Sequence, residues 1–111
     1  MKTKSDPTRC VPCETLTRPL KGAALRQARQ QLGPEWKVVR QHHLEREYAF
    51  PDFRTALAFA NRVGKVAEKD GHHPDITVSW GKVRLTIWTH SIGGLSENDF
   101  SLAAKADAVL C

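Results

Sequence analysis

The sequence has no apolar run long enough to cross a bilayer, and the stretch from Met1 to Cys10 lacks the apolar segment of a secretory signal. Both absences lead us to expect a cytoplasmic protein with no membrane partner. Cysteine is scarce: Cys10, Cys13 and Cys111 stand at the two ends of the chain, which excludes a disulfide framework. Cys10-Val11-Pro12-Cys13 has the spacing of half a zinc site or a redox pair, but no second pair follows and no strand pattern precedes it, so it reads as an exposed cytosolic pair. Runs of like charge are missing too. The formal net charge is +5, yet basic residues alternate with acids, as in Glu45-Arg46-Glu47 and Glu68-Lys69-Asp70, so no basic stripe is offered to nucleic acid. Neither an internal repeat nor a low-complexity tract is present.

What is present suits one globular unit. A chain of 111 residues is too short for two cores and long enough to bury about 65% of its unfolded surface, so it needs neither disulfide nor structural metal to fold. Residues 1–16 are polar, contain two prolines and show no hydrophobic period, which predicts a flexible tail ahead of a single domain over residues 17–111.

Within that domain the periodicity alternates between helix and strand. Leu25, Ala28 and Leu32 recur at helical spacing within Leu20 to Leu32, ahead of Gly33-Pro34. Trp36 to Arg40 is rich in β-formers, a turn is expected near Gln41-His42, and Leu44, Tyr48 and Phe50 then share one face of a second strand. Asp52 is placed to cap a long helix in which Phe53, Ala56, Ala60, Val63 and Ala67 step by three and four until Gly71 ends it. Ile76, Val78 and Trp80 alternate with polar residues, as do Val83, Leu85 and Ile87, with Gly81-Lys82 read as the turn between them. After Gly93-Gly94, Ser96-Glu97-Asn98-Asp99 has the form of a capping box opening a last helix. The order α-β-β-α-β-β-α implies an α+β fold, with a four-stranded antiparallel sheet and the helices packed on one face.

If Gly81-Lys82 form the turn, Trp80 faces Val83, Val78 faces Leu85, and the extended ladder sets His90 opposite His73, with Cβ atoms about 5 Å apart. Three histidines, His72, His73 and His90, would then share a site with Glu68 at the end of one helix and Asp99 at the start of another. Neutral imidazole titrates near pH 6.5, so such a group suits proton transfer in both directions. Each residue also has a plainer use. Asp99 is accounted for by helix capping alone, whereas Glu68 near a helix C-terminus is unfavourable to the helix dipole and hints at another purpose. By strand parity Trp88 lies with His90 and is the better pocket wall, while Trp80 lies with Ile76 and Val78, and Trp36 reads as packing. His42 and His43 fall in a turn and are expected to be solvated.

Glu68, three residues, His72-His73-Pro74, five residues, Trp80, nine residues, His90, eight residues and Asp99 together resemble the signature of the pterin-4a-carbinolamine dehydratase family. The resemblance extends from about Trp36 to Leu110. It implies dehydration of a 4a-hydroxytetrahydropterin to the quinonoid dihydropterin, the step that recycles the pterin of aromatic amino-acid hydroxylation, with no metal or organic cofactor. On that reading His72 and His90 act as acid and base, His73 orients the pterin, and Glu68 and Asp99 fix imidazole tautomers. The family motif marks Trp80 where strand parity favours Trp88, and Pro74 joins the substrate-orienting group.

Two other functions compete. Relatives of the family include transcription-factor dimerisation partners and RuBisCO assembly factors, so the same fold could serve as a non-catalytic binding module. Three histidines with Glu68 or Asp99 could instead ligate a hydrolytic metal. Edge strands of an open sheet invite pairing, and with the resemblance this implies a homodimer or homotetramer, with a pterin as small-molecule partner and an aromatic amino-acid hydroxylase in the same pathway.

Overall fold

A computed structural model describes residues 18–110; the tail expected over residues 1–16, with Cys10 and Cys13, lies outside the described residues, as does Cys111. The elements are α1 (Gly22–Arg29), β1 (Lys37–Val39), β2 (His43–Ala49), α2 (Phe53–Asp70), β3 (Asp75–Ser79), β4 (Lys82–Ile87) and α3 (Glu97–Ala108). The α-β-β-α-β-β-α order is the one anticipated. Two hairpins join through β2 and β4 into an antiparallel sheet of order β1-β2-β4-β3.

Residue alternation decides which side of the sheet is covered. Leu44, Tyr48, Val83, Leu85 and Ile87 are buried beneath the helices, where they meet Ala56, Phe59, Val63, Leu102, Ala103 and Ala106 in one cluster. Glu45, Glu47 and Arg84 alternate with these, and Arg84 Nε lies 3.4 Å from Glu47 and 3.8 Å from Glu45 on the other face. Exposed pairs of this kind contribute about 0–1 kcal/mol each, against about 1.5–3 kcal/mol for each large apolar side chain buried. The apolar side therefore holds the sheet to the helices.

Helix α2 begins where Asp52 Oδ1 accepts a hydrogen bond from Thr55 N at 2.8 Å, and it ends at Gly71, whose φ of 68° suits glycine best. Its core face is Ala56, Phe59, Ala60, Val63 and Ala67. Phe53, expected in that row, is 46% exposed. As the first residue of the helix it lies beyond the core, and Phe59 supplies the aromatic packing instead, 4.5 Å from the Tyr48 ring and 5.3 Å from that of Phe50.

Helix α1 is shorter than the expected Leu20 to Leu32. After Arg29 the chain turns, with the Arg29 guanidinium donating to the carbonyls of Leu32, Gly33 and Trp36. Asp107, near the end of α3, accepts from Trp36 Nε1 at 2.9 Å, Arg46 Nη1 at 2.9 Å and Tyr48 OH at 2.6 Å. This polar knot ties α3 to the first hairpin. Burial, reinforced by the hydrogen bond to Asp107, pushes the Tyr48 phenol well above its ordinary value.

The second hairpin departs from the expected register. Trp80-Gly81, not Gly81-Lys82, make the turn, so Ser79 pairs with Lys82, Val78 with Val83 and Ile76 with Leu85. The cause lies in the neighbouring strand. Lys82 is already paired with Ala49 in β2, and Phe50 N donates to Gly81 O at 2.8 Å, so β4 must begin at Lys82. A shift of two residues leaves every side chain on its expected face, but the β3–β4 ladder stops at Asp75 and Thr86. His73 and His90 are thus not cross-strand partners.

Candidate active site

The histidines meet by a different route from the one expected. At the end of α2 the Gly71 N–H bonds to Glu68 O and the His72 N–H to Ala67 O, at 3.3 and 3.2 Å. This closure turns the chain back toward the helices and buries His72 to 7% exposure. Its Nε2 lies 2.6 Å from Asp99 Oδ1. Asp99 is fully buried in the first turn of α3, and its other oxygen accepts from Ser96 N and from Thr89 Oγ1, each at 2.8 Å. One carboxylate thus caps the helix with Oδ2 and holds an imidazole with Oδ1. Capping and contact with an imidazole are both carried by Asp99.

The same contacts assign a tautomer. A carboxylate is acceptor-only, so the proton between the two groups belongs to His72 Nε2, and the lone pair of the neutral ring is left on Nδ1. Thr89 and Ser96 complete the arrangement, their hydroxyls 2.8 Å apart and both buried. Thr89 N donates to Gly94 O at 2.8 Å, closing the loop that carries His90. Thr89 and Ser96 are partners of Asp99 that motif reading passes over, since hydroxyls next to turns are common in any sequence.

His73 takes a different partner. Its Nε2 lies 2.7 Å from Glu68 Oε2, with side chains 60% and 78% exposed, so this pair orients more than it stabilises. His90 opens the short 3₁₀ turn His90–Ile92 and stacks on Trp88 with ring centroids 4.0 Å apart and planes at 30°. His72, His73 and His90 come together around one cavity of about 300 Å³, whose wall also includes Gly71, Trp88, Thr89 and Ser91.

The remaining expected residues lie elsewhere. Glu68 and Pro74 line a larger groove of about 830 Å³ between α2 and β3, which touches the cavity only through His73. Trp80 is 70% exposed in the hairpin turn, outside the cavity wall, whereas Trp88 lines the cavity. His42 and His43 are half-buried rather than solvated. The His42 ring sits 4.2 Å from that of Trp88, and its Nδ1 is 3.0 Å from His43 Nδ1. Burial holds His43 below its usual value, and the neighbouring His42 acts in the same direction. Among the described residues no three of His, Cys, Asp and Glu converge as metal ligands, so the sphere of three histidines and a carboxylate is not assembled.

Comparison with known proteins bears on the family and the fold. The model of the family described as pterin 4 alpha carbinolamine dehydratase matches residues 18–109. A protein of Alkaliphilus metalliredigens named for that dehydratase is 52% identical over 99 residues, covering 89% of each chain. One from Rubrobacter xylanophilus is 52% identical over 98 residues, covering 88% of this chain and 91% of its own. The crystal structure of a transcriptional coactivator/pterin dehydratase from Brucella melitensis superposes with a TM-score of 0.78 at 30% identity, covering 85% of this chain and all of that one. A pterin dehydratase-like RuBisCO assembly factor of the alpha-carboxysome shares the fold, with a TM-score of 0.59 at 24% identity over 68% of this chain and 89% of that one. The chain belongs to the pterin 4 alpha carbinolamine dehydratase family.

Proposed function

We propose that this protein dehydrates a 4a-hydroxytetrahydropterin to the quinonoid dihydropterin. The observation that carries this reading is the His72–Asp99 pair at 2.6 Å, opening on a cavity that His73 and His90 also line. In the reaction the C4a–O bond breaks and the hydroxyl leaves as water with a proton from a general acid. The N5–H proton passes to a general base as the C4a=N5 bond forms. With its Nε2–H committed to Asp99, His72 offers Nδ1 as the base, and His90, which lines the same cavity, is the acid. Imidazoles within hydrogen-bond reach of these positions supply about 10²- to 10⁴-fold in rate. His73, steadied by Glu68, orients the pterin, with Pro74 beside it. Loss of water assisted by proton transfer, with no change of oxidation state, calls for neither metal nor organic cofactor. In a cell it would serve a cytoplasmic aromatic amino-acid hydroxylase.

The groove lined by Leu57, Ala60, Gly64, Pro74, Ile76 and Val78 supports a homodimer or homotetramer, and it also favours a second reading, in which the fold serves as an assembly module. Light scattering tests the first, with a monomer as the contrary result. Stopped-flow decay of 4a-hydroxytetrahydropterin generated in situ separates the functions. Acceleration by wild type that is lost in His90→Ala supports the dehydratase. A well-folded wild type that leaves the decay unchanged favours the assembly module.

A further inference from the structure

The indole of Trp88 is covered by two imidazoles. His90 stacks on it at 4.0 Å and 30°, and His42 packs on it at 4.2 Å and 46°. Centroids this close require face contact, because an edge-on ring stands farther off. Two imidazoles crowded onto one face would touch each other as well, so they occupy opposite faces. His90 lines the cavity and His42 does not; it lies in a neighbouring pocket with Lys21, Arg40 and Gly93.

His42 is itself firmly placed. The β1–β2 turn closes with His42 N donating to Val39 O at 2.8 Å, and Arg40 and Gln41 adopt φ of 55° and 56°, which side-chain-bearing residues avoid unless the surroundings impose it. The His43 Nδ1, 3.0 Å from the His42 Nδ1, gives the His42 ring a second contact. His90, by contrast, stands exposed on a single 3₁₀ turn after β4. The contact that orients its ring is the Trp88 face.

We propose that His42 is a positioning residue for the dehydration: it backs the indole of Trp88, which carries the His90 imidazole at the cavity wall. This rests on the dehydratase reading, in which His90 is the acid. The column His42–Trp88–His90 couples a hairpin turn to a proton donor that would otherwise swing with its loop. Because the effect is on where the acid stands at the moment of C–O cleavage, it falls on kcat more than on KM.

The test combines NMR of the His90 ring protons at fixed pH with stopped-flow kinetics. In wild type those protons are expected to be shifted upfield by the Trp88 ring current, given the stacking at 4.0 Å. In His42→Ala the shift is expected to relax, and kcat to fall about threefold to tenfold with KM changed less than about twofold. His42→Phe, which restores a ring without a polar atom, is expected to recover both, whereas His42→Gln, which keeps a polar group without a ring, recovers neither. An unchanged His90 shift in His42→Ala overturns the proposal, as does a lost shift with kcat intact. A wild type without dehydratase activity overturns the functional reading, and the ring-current comparison then decides by itself whether His42 places His90.

Discussion

Asp99 Oδ1 stands 2.6 Å from His72 Nε2 while the other oxygen of the same carboxylate closes the first turn of α3 through Ser96 N at 2.8 Å. The position of the imidazole is therefore locked to a helix terminus. Asp99→Asn presents an amide donor to His72 and moves the ring proton to Nδ1, removing the proposed base. The dehydration rate is expected to fall about 10²- to 10⁴-fold, with about 1 kcal/mol lost from urea stability for the weakened cap. Retained activity in a folded Asn variant would contradict the assigned tautomer.

Thr89 is buried, and its hydroxyl lies 2.8 Å from both Asp99 Oδ2 and Ser96 Oγ. Thr89→Val keeps the shape and strands those partners. A loss of about 1–3 kcal/mol in urea unfolding is expected. Equal stability would mean that water replaces the hydroxyl.

Gly81 sets the second hairpin. A Cβ there would approach Phe50 O to 2.8 Å, too close for contact with a backbone atom whose residue is held in place by the Phe50 N to Gly81 O bond. Gly81→Ala is expected to cost about 1–3 kcal/mol, measured by thermal or urea denaturation.

That hairpin also shows where the sequence was legible and where it was not. Asp52 and Gly71 bounded α2 because capping chemistry is local. Ser96 and Asp99 announced α3 for the same reason. The turn at Trp80-Gly81 was misplaced by one residue because its register is dictated by β2, more than thirty positions away. The face of each strand survived, since the error in pairing was even. The three histidines line one cavity, but not as the cross-strand partners that the expected turn implied: His72 arrives through the closure of α2 and His90 through a 3₁₀ turn. His42 was invisible because nothing local to the first hairpin reports that β4 brings Trp88 beside it.

Phe59 and Phe53 lie on one helix with opposite fates, 0% and 46% exposed. Phe59→Ala is expected to cost about 3–5 kcal/mol by leaving a cavity against Tyr48 and Phe50. Phe53→Ala is expected to stay within about 0.5–1 kcal/mol in the monomer. Equal losses at both sites would contradict the placement of the core.

The most direct test is the stopped-flow decay of 4a-hydroxytetrahydropterin with wild type and with His72→Ala at equal folded concentration. The account predicts clear acceleration by wild type and a loss of about 10²-fold or more in the variant, with KM little changed. Wild-type acceleration that His72→Ala retains in full would contradict the His72–Asp99 pair as the centre of the reaction.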